Sequence, residues 1–393
     1  MSEYLFPLLL VLLASLFQGT FGLGMKYVKP LAWEAWWLVH ATVAMVIFPL
    51  AWAFMVVPEL GAVLAQAPTS ELVAGALLGF LWGIGGIMFG VSVGYIGMSL
   101  TYGIVMGLCS IAGALISLVM RFDSIEPASL PFLFAGLLLL ALAVVIVTVA
   151  GLKRDTLLAE AGTELQGIKK GKAFRVGLVI ASVCGLLSSM LAIGFDNTEQ
   201  IGAIAEAAGT LERNTALARW VVVLAGAYLM NAGYALILLI KNKSFRSFKT
   251  PDMSSALKWS IIAGLLWFAA LGTYGQGVAL MGEMGTMICW PMMLGLSLIV
   301  SNAVAVVAGE WKGTGGPLKL MLLGVFVIIL ATVVMAYAST LKPQQPASEA
   351  TAQVQMNRSP QVLAATQKCP GIVLEMSAGK ESRDRLLIVK THS

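Results

Sequence analysis

The chain has 393 residues, 59% of them hydrophobic and 11% charged, with a formal net charge of +5. Soluble domains carry about 25% charged residues, so this composition excludes a chain that hides its apolar surface by folding in water and calls for a bilayer as solvent. The positive balance accompanies no basic stripe and no RNA-binding aromatic motif, which argues against a nucleic-acid partner.

A helix needs about 20 mostly apolar residues to cross the hydrocarbon core. Stretches of that kind run over roughly 4–24, 34–57, 72–95, 99–120, 131–151, 174–195, 217–240, 256–280, 284–309 and 318–339. The expected fold is therefore an all-α membrane protein with ten transmembrane helices. The first stretch follows "MSEY", which has no basic residue, and lacks a small-residue cleavage site. It reads as a retained span and not as a cleaved signal. Cys109, Cys184 and Cys289 fall inside spans without CxxC or CxxH spacing, which suits small apolar packing residues. There is no Walker A loop and no HExxH, so no cofactor or metal is expected.

Numbering the connections alternately separates the charges. One set holds fifteen basic residues, from Lys26 and Lys29 through Lys153, Arg154, Lys169, Lys170, Lys172 and Arg175 to Lys243, Arg246, Lys312 and Lys319. The other holds three before the tail, Arg121, Arg213 and Arg219. Basic connections stay in the cytoplasm, which puts the N-terminus outside.

The segment "LWGIGGIMFGVSVGYIGMS" at 81–99 recurs weakly as "LWFAALGTYGQGVALMGEM" at 266–284, an offset of 185. The Leu-Trp pair repeats, Phe89-Gly90 matches Tyr274-Gly275, Gly97 matches Gly282, and Thr101 matches Thr286. Duplication predicts a five-helix repeat over 1–151, a cytoplasmic linker over 152–173, a second repeat over 174–340 and a tail over 341–393. Five is odd, so the second repeat enters the membrane upside down, as in secondary transporters with a site near the midplane. Gly79, Gly83, Gly86, Gly90, Gly94 and Gly97 form one helix face suited to close packing or sliding. "GVSVG" at 90–94 matches GxSxG, but that motif needs a strand–turn–helix context. An intramembrane serine protease pairing Ser92 with His40 is the remote enzymatic alternative.

The pieces "AWEAWWLVHATVAMVIFPLAW", "FLWGIGGIMFGVSVGYIGMSLTYGI", "CGLLSS" and "GEWKGTG" resemble the L-rhamnose–proton symporter family of the drug/metabolite transporter superfamily. The similarity runs in order through residues 1–340. It implies ten helices and import of L-rhamnose with protons across the bacterial inner membrane, by a protein that is not an enzyme. Helices 8 and 9 depart from the enteric members, with Leu280, Gly282, Glu283 and Thr286 in place of another polar set. A carrier or exporter of another small neutral metabolite, and a non-transporting sugar sensor, are the alternatives.

Ionisable groups within membrane helices are functional candidates by default. Glu34, which also matches the family pattern, His40 and Asp196 are the candidates for proton coupling. A neutral sugar presents an apolar ring face and hydroxyls, which suits tryptophan stacking beside polar groups. The candidates for its binding are Gln18, Trp33, Trp36, Tyr274, Gln276, Trp290 and Asn302. Trp33, Trp36 and His40 should share one face of the second helix, and Glu34, Trp37 and Ala41 another. The partners expected are a small neutral sugar, protons and the bilayer. The tail begins with a Pro/Gln/Ala-rich linker and reads as disordered.

Overall fold

A computed structural model describes residues 2–160 and 171–341, with side chains from Leu5 onward, and the backbone of two short strands at 372–373 and 390–391. The chain divides into two units, Met1–Leu341 and Lys342–Ser393. In the second, Ile372–Val373 pairs antiparallel with Lys390–Thr391. The expected disorder of the tail otherwise lies outside the described residues, as does 161–170.

The described residues of the first unit are predominantly helical. Its helices are α1 (Ser2–Thr20), α2 (Trp33–Thr42), α3 (Phe48–Val56), α4 (Leu60–Gln66), α5 (Thr69–Ile96), α6 (Met98–Met120), α7 (Leu130–Glu160), α8 (Lys172–Asp196), α9 (Glu199–Ala207), α10 (Thr215–Lys241), α11 (Met253–Met281), α12 (Gly285–Val307) and α13 (Gly315–Ala338). A π-turn at Val43–Ile47 joins α2 to α3, so the two form one apolar stretch, Trp33–Val56. Such turns are frequent at functional sites. Among the described residues nine stretches are long and apolar enough to cross a membrane. One of them, Met253–Val307, has 55 residues, which at 1.5 Å per residue is far longer than a bilayer core of about 30 Å. It is divided by the turn Gly282–Met284, where Gly282 has φ 61°. The corresponding joint between α5 and α6 is the single residue Gly97, with φ 80°. Both glycines hold a backbone that other residues avoid, and they are the pair that the 185-residue offset aligns. The described residues within the expected linker over 152–173 are largely helical, with α8 starting at Lys172. α7 continues through Glu160, because "LKRDTLLAE" keeps helix-forming residues past the bilayer length.

The principal helix pairings form matched sets. α5 packs on α8 and α10, while α11 packs on α1 and α2. α6 packs on α8, and α12 on α1. α7 packs on α13, α6 on α12, and α2 on α10. Exchanging α1 with α8, α2 with α10, α5 with α11, α6 with α12 and α7 with α13 leaves this set unchanged.

Small residues make the closest crossings. A Cβ on Gly79 would lie 1.9 Å from the Val223 carbonyl oxygen, and one on Gly226 would lie 1.7 Å from that of Ala76. Backbone thus meets backbone where α5 crosses α10, the arrangement small residues permit in lipid. The predicted glycine face does not pack along its whole length. Gly79 and Gly83 are covered by α10, whereas Gly86, Gly90 and Gly94 have nothing within 4 Å of a built Cβ.

Candidate functional site

Two polar clusters lie at opposite ends of the bundle. The first gathers where α6, α8 and α12 meet. Asp196 ends α8 and is 4% exposed. Its carboxylate accepts a hydrogen bond from Thr286 of α12 at 2.5 Å and another from Ser117 of α6. A buried carboxylate needs such donors, and here they come from two other helices. Arg219 stands 7% exposed in the same region. It donates to the Phe195 carbonyl at 2.7 Å and lies over the Phe195 ring at 3.8 Å, with its Nε unpartnered. Phe195, Trp220, Tyr274 and Trp290 form a run of ring contacts beside it, Tyr274 meeting Trp290 edge-on at 5.4 Å. The Trp290 Nε1 donates to the Cys109 carbonyl at 3.2 Å.

A cleft of about 200 Å³ opens beside Asp196, lined among others by Arg121, Glu199, Arg219, Glu283 and Thr286. Arg121 bridges across it, donating at 2.7 Å to both Glu199 and Glu283. Partial burial works against the Arg121 charge, but its hydrogen bonds to Glu199 and Glu283, with the field of Asp196, outweigh burial and hold the guanidinium above its ordinary value.

The second cluster is built on α2. The Trp36 ring stacks on His40 at 5.3 Å and 8°. Trp37 meets His40 at 5.0 Å, and Phe21 covers the imidazole at 6.3 Å. His40 Nδ1, Trp36 Nε1 and Gln18 Oε1 are buried without a partner. The expected division of α2 into two faces does not hold. Trp37 stacks on Trp33 at 5.3 Å and also touches Trp36 and His40. Trp37 lies four residues after Trp33 and three before His40, and both spacings bring side chains together on a helix surface. Trp37 also donates to Asn231 of α10 at 3.1 Å.

The remaining candidates scatter. Glu34 accepts hydrogen bonds from Asn242 at 3.0 Å and from Ser244, fastening α2 to the connection after α10. Gln276 donates to Asn214 at 2.9 Å. Asn302 bonds its own helix at Leu298. Trp33 is 43% exposed. Ser92 is fully buried, bonded to Thr101 and to the Gly177 carbonyl, while aromatic rings enclose His40. The structure therefore unites Asp196, Tyr274 and Trp290 in one cluster and Trp33, Trp36 and His40 in another.

Sequence reasoning missed several residues. Ser117, Thr286 and Arg219 as neighbours of Asp196 are invisible in the chain, since they lie 79, 90 and about 23 residues away and only packing brings them together. Trp82 and Trp267 carried a signal, because the internal repeat aligns them. Their rings meet at 5.4 Å. Thr42 and Tyr228, with hydroxyls 3.3 Å apart, join α2 to α10.

Comparison with known proteins bears on the chain's family and fold. A relative from Yersinia pestis named L-rhamnose-proton symporter is 28% identical over 316 residues, covering 78% of this chain and 90% of its own. One of the same name from Salmonella gallinarum is 29% identical over 326 residues, covering 80% and 92%. A solved crystal structure is similar at TM-score 0.52 and 15% identity, covering 85% of this chain and 98% of its own, which bears on the fold alone. The sequence model for the L-rhamnose-proton symport protein, RhaT, matches residues 5–340. The chain is an all-α, multi-pass membrane protein and belongs to the L-rhamnose-proton symport protein family.

Proposed function

We propose that this protein imports L-rhamnose together with protons across a bacterial inner membrane, as a secondary transporter with ten crossings in two inverted five-helix halves. The family match over residues 5–340 carries this reading. The matched helix pairings and the equivalent glycine joints at Gly97 and Gly282 support the two-fold relation. So does the contact between Trp82 and Trp267, because two residues related by a two-fold axis can touch only beside that axis. A sugar bound near the midplane between the halves has those indoles as stacking surface, with Thr42, Tyr228 and Gln18 as hydroxyl partners. The distribution of basic residues puts Lys26, Lys243 and Glu310 on the cytoplasmic face, and the N-terminus and the Arg121 cluster outside.

Of the three coupling candidates, Asp196 takes first place. Its carboxylate holds a hydroxyl from α6 in one half and a hydroxyl from α12 in the other. Protonation removes the charge that both hydroxyls solvate, and so loosens the contact between the halves on the outer face. Return of the charge restores it. Arg219 and Arg121 line the same cleft without a direct ion pair to Asp196. In proteoliposomes, Asp196→Asn should keep exchange of labelled L-rhamnose while losing gradient-driven accumulation by tenfold or more. Full accumulation by Asp196→Asn would reject the coupling role, and failure of the wild type to take up L-rhamnose among a panel of neutral sugars would reject the substrate.

A further inference from the structure

Of the exceptions to the symmetry of the pairing pattern, the contact between α10 and α11 is the most marked. α10 and α11 pack closely near the outer face, where the built Cβ of Gly275 lies 2.9 Å from the Ala216 Cβ and 2.6 Å from the Trp220 Nε1. The exchange of halves turns this contact into one between the start of α2 and the end of α5. No comparable packing of α2 on α5 exists among the described residues. Gly90, which the repeat aligns with Gly275, has nothing within 4 Å of its built Cβ, and Gly86 and Gly94 are equally open.

What faces this gap is aromatic. Trp37 is fixed to Asn231, and the Asn231 amide nitrogen lies 3.2 Å from the built Cβ of Gly83. Trp37 therefore sits at the depth of Gly83. Trp33, stacked on Trp37, is one turn nearer the cytoplasmic face, at about the depth of Gly86, the first of the open glycines. It is the exposed member of the group, at 43%. On the outer face the same task falls to Trp220, which is fully buried on Gly275.

We infer that Trp33 and Trp37 form the cytoplasmic gate, which closes by seating the Trp33 indole on the Gly86–Gly90–Gly94 face of α5. In this structure α10 and α11 are closed on Gly275, whereas the Gly90 face of α5 is unseated. In the opposite state α2 closes on Gly90 while Trp220 lifts from Gly275. Glycine serves as the seat because an indole and a backbone come together there without side chains between them. The inference rests on the two-fold relation of the halves proposed above, and not on the identity of the sugar.

Gly90→Leu tests it without reference to substrate. The side chain enters open space, so the protein should fold and melt as the wild type does, yet the gate should no longer seat. The probe is Ala216→Cys, in a background with Cys369→Ser, reacting with an impermeant maleimide from the Arg121 face. This position is buried while the outer side is closed. Adding Gly90→Leu should slow labelling at least fivefold and cut L-rhamnose uptake to a tenth or less, and Gly90→Ala, which adds only a methyl to the seat, should shift both in the same direction by less. Unchanged labelling with Gly90→Leu would mean that this glycine face meets lipid, and would overturn the gate. Loss of folded protein would overturn it too, since the seat would then not be open. Slowed labelling in a protein that carries no L-rhamnose would keep the gate and reject only the substrate.

Discussion

The glycines of α5 allow one substitution to be tried twice on the same helix with opposite results. In Gly79→Ala the new methyl would start 1.9 Å from the Val223 carbonyl oxygen. A carbon–oxygen contact settles at about 3.3 Å, so α5 and α10 must part by about 1.4 Å. Overpacking typically costs about 1–3 kcal/mol, and here the obstacle is backbone that cannot rotate away, which puts the cost near 3 kcal/mol. Gly86→Ala meets nothing within 4 Å, and alanine is favoured over glycine inside a helix by about 0.5–1 kcal/mol. At about 2 °C per kcal/mol, Gly79→Ala should melt about 6 °C below wild type in detergent, and Gly86→Ala at or slightly above it. Fluorescence-detected size exclusion after a heating series would measure both. Equal melting of the two variants would refute the crossing geometry.

Three further outcomes are expected. In intact cells, a cysteine replacing Glu206 should react with an impermeant thiol reagent and one replacing Lys243 should not; the reverse would invert the topology. Truncation after Leu341 should leave uptake within twofold of the full chain, because the family match ends at residue 340; a larger loss in a proteoliposome assay would give the tail a role in transport. Glu34→Gln retains an oxygen to accept from Asn242 and Ser244, so gradient-driven accumulation should stay above half of wild type. Its collapse with exchange intact would move coupling from Asp196 to Glu34.

The sequence showed the spans because twenty apolar residues in lipid have little choice but to be helical. The 185-residue offset pairs Trp82 with Trp267, whose rings meet at 5.4 Å, and Gly97 with Gly282, both at sharp joints with positive φ. Side-chain direction was less legible. Trp37 was expected on a different face from Trp33 and His40, yet its ring bridges them. The glycine face looked uniform in sequence, but α10 diverges from α5 below Gly83, and nothing in the spacing of glycines records the path of a neighbouring helix. Asp196 appeared as a helix-end residue, and its burial depends on Ser117 and Thr286 arriving from other helices.

The one-residue joint at Gly97 bears on how the protein is made. A single amino acid gives the ribosome and the insertion machinery no loop to hold back or pass across, so α5 and α6 must enter the bilayer as one hairpin. The joint carries no lysine or arginine of its own to fix its side, and the hairpin must take its direction from the charged connections on either side of it. The three-residue joint at Gly282–Met284 imposes the same on α11 and α12. An epitope tag or reporter domain placed at either joint would therefore separate spans during synthesis that the chain never inserts separately.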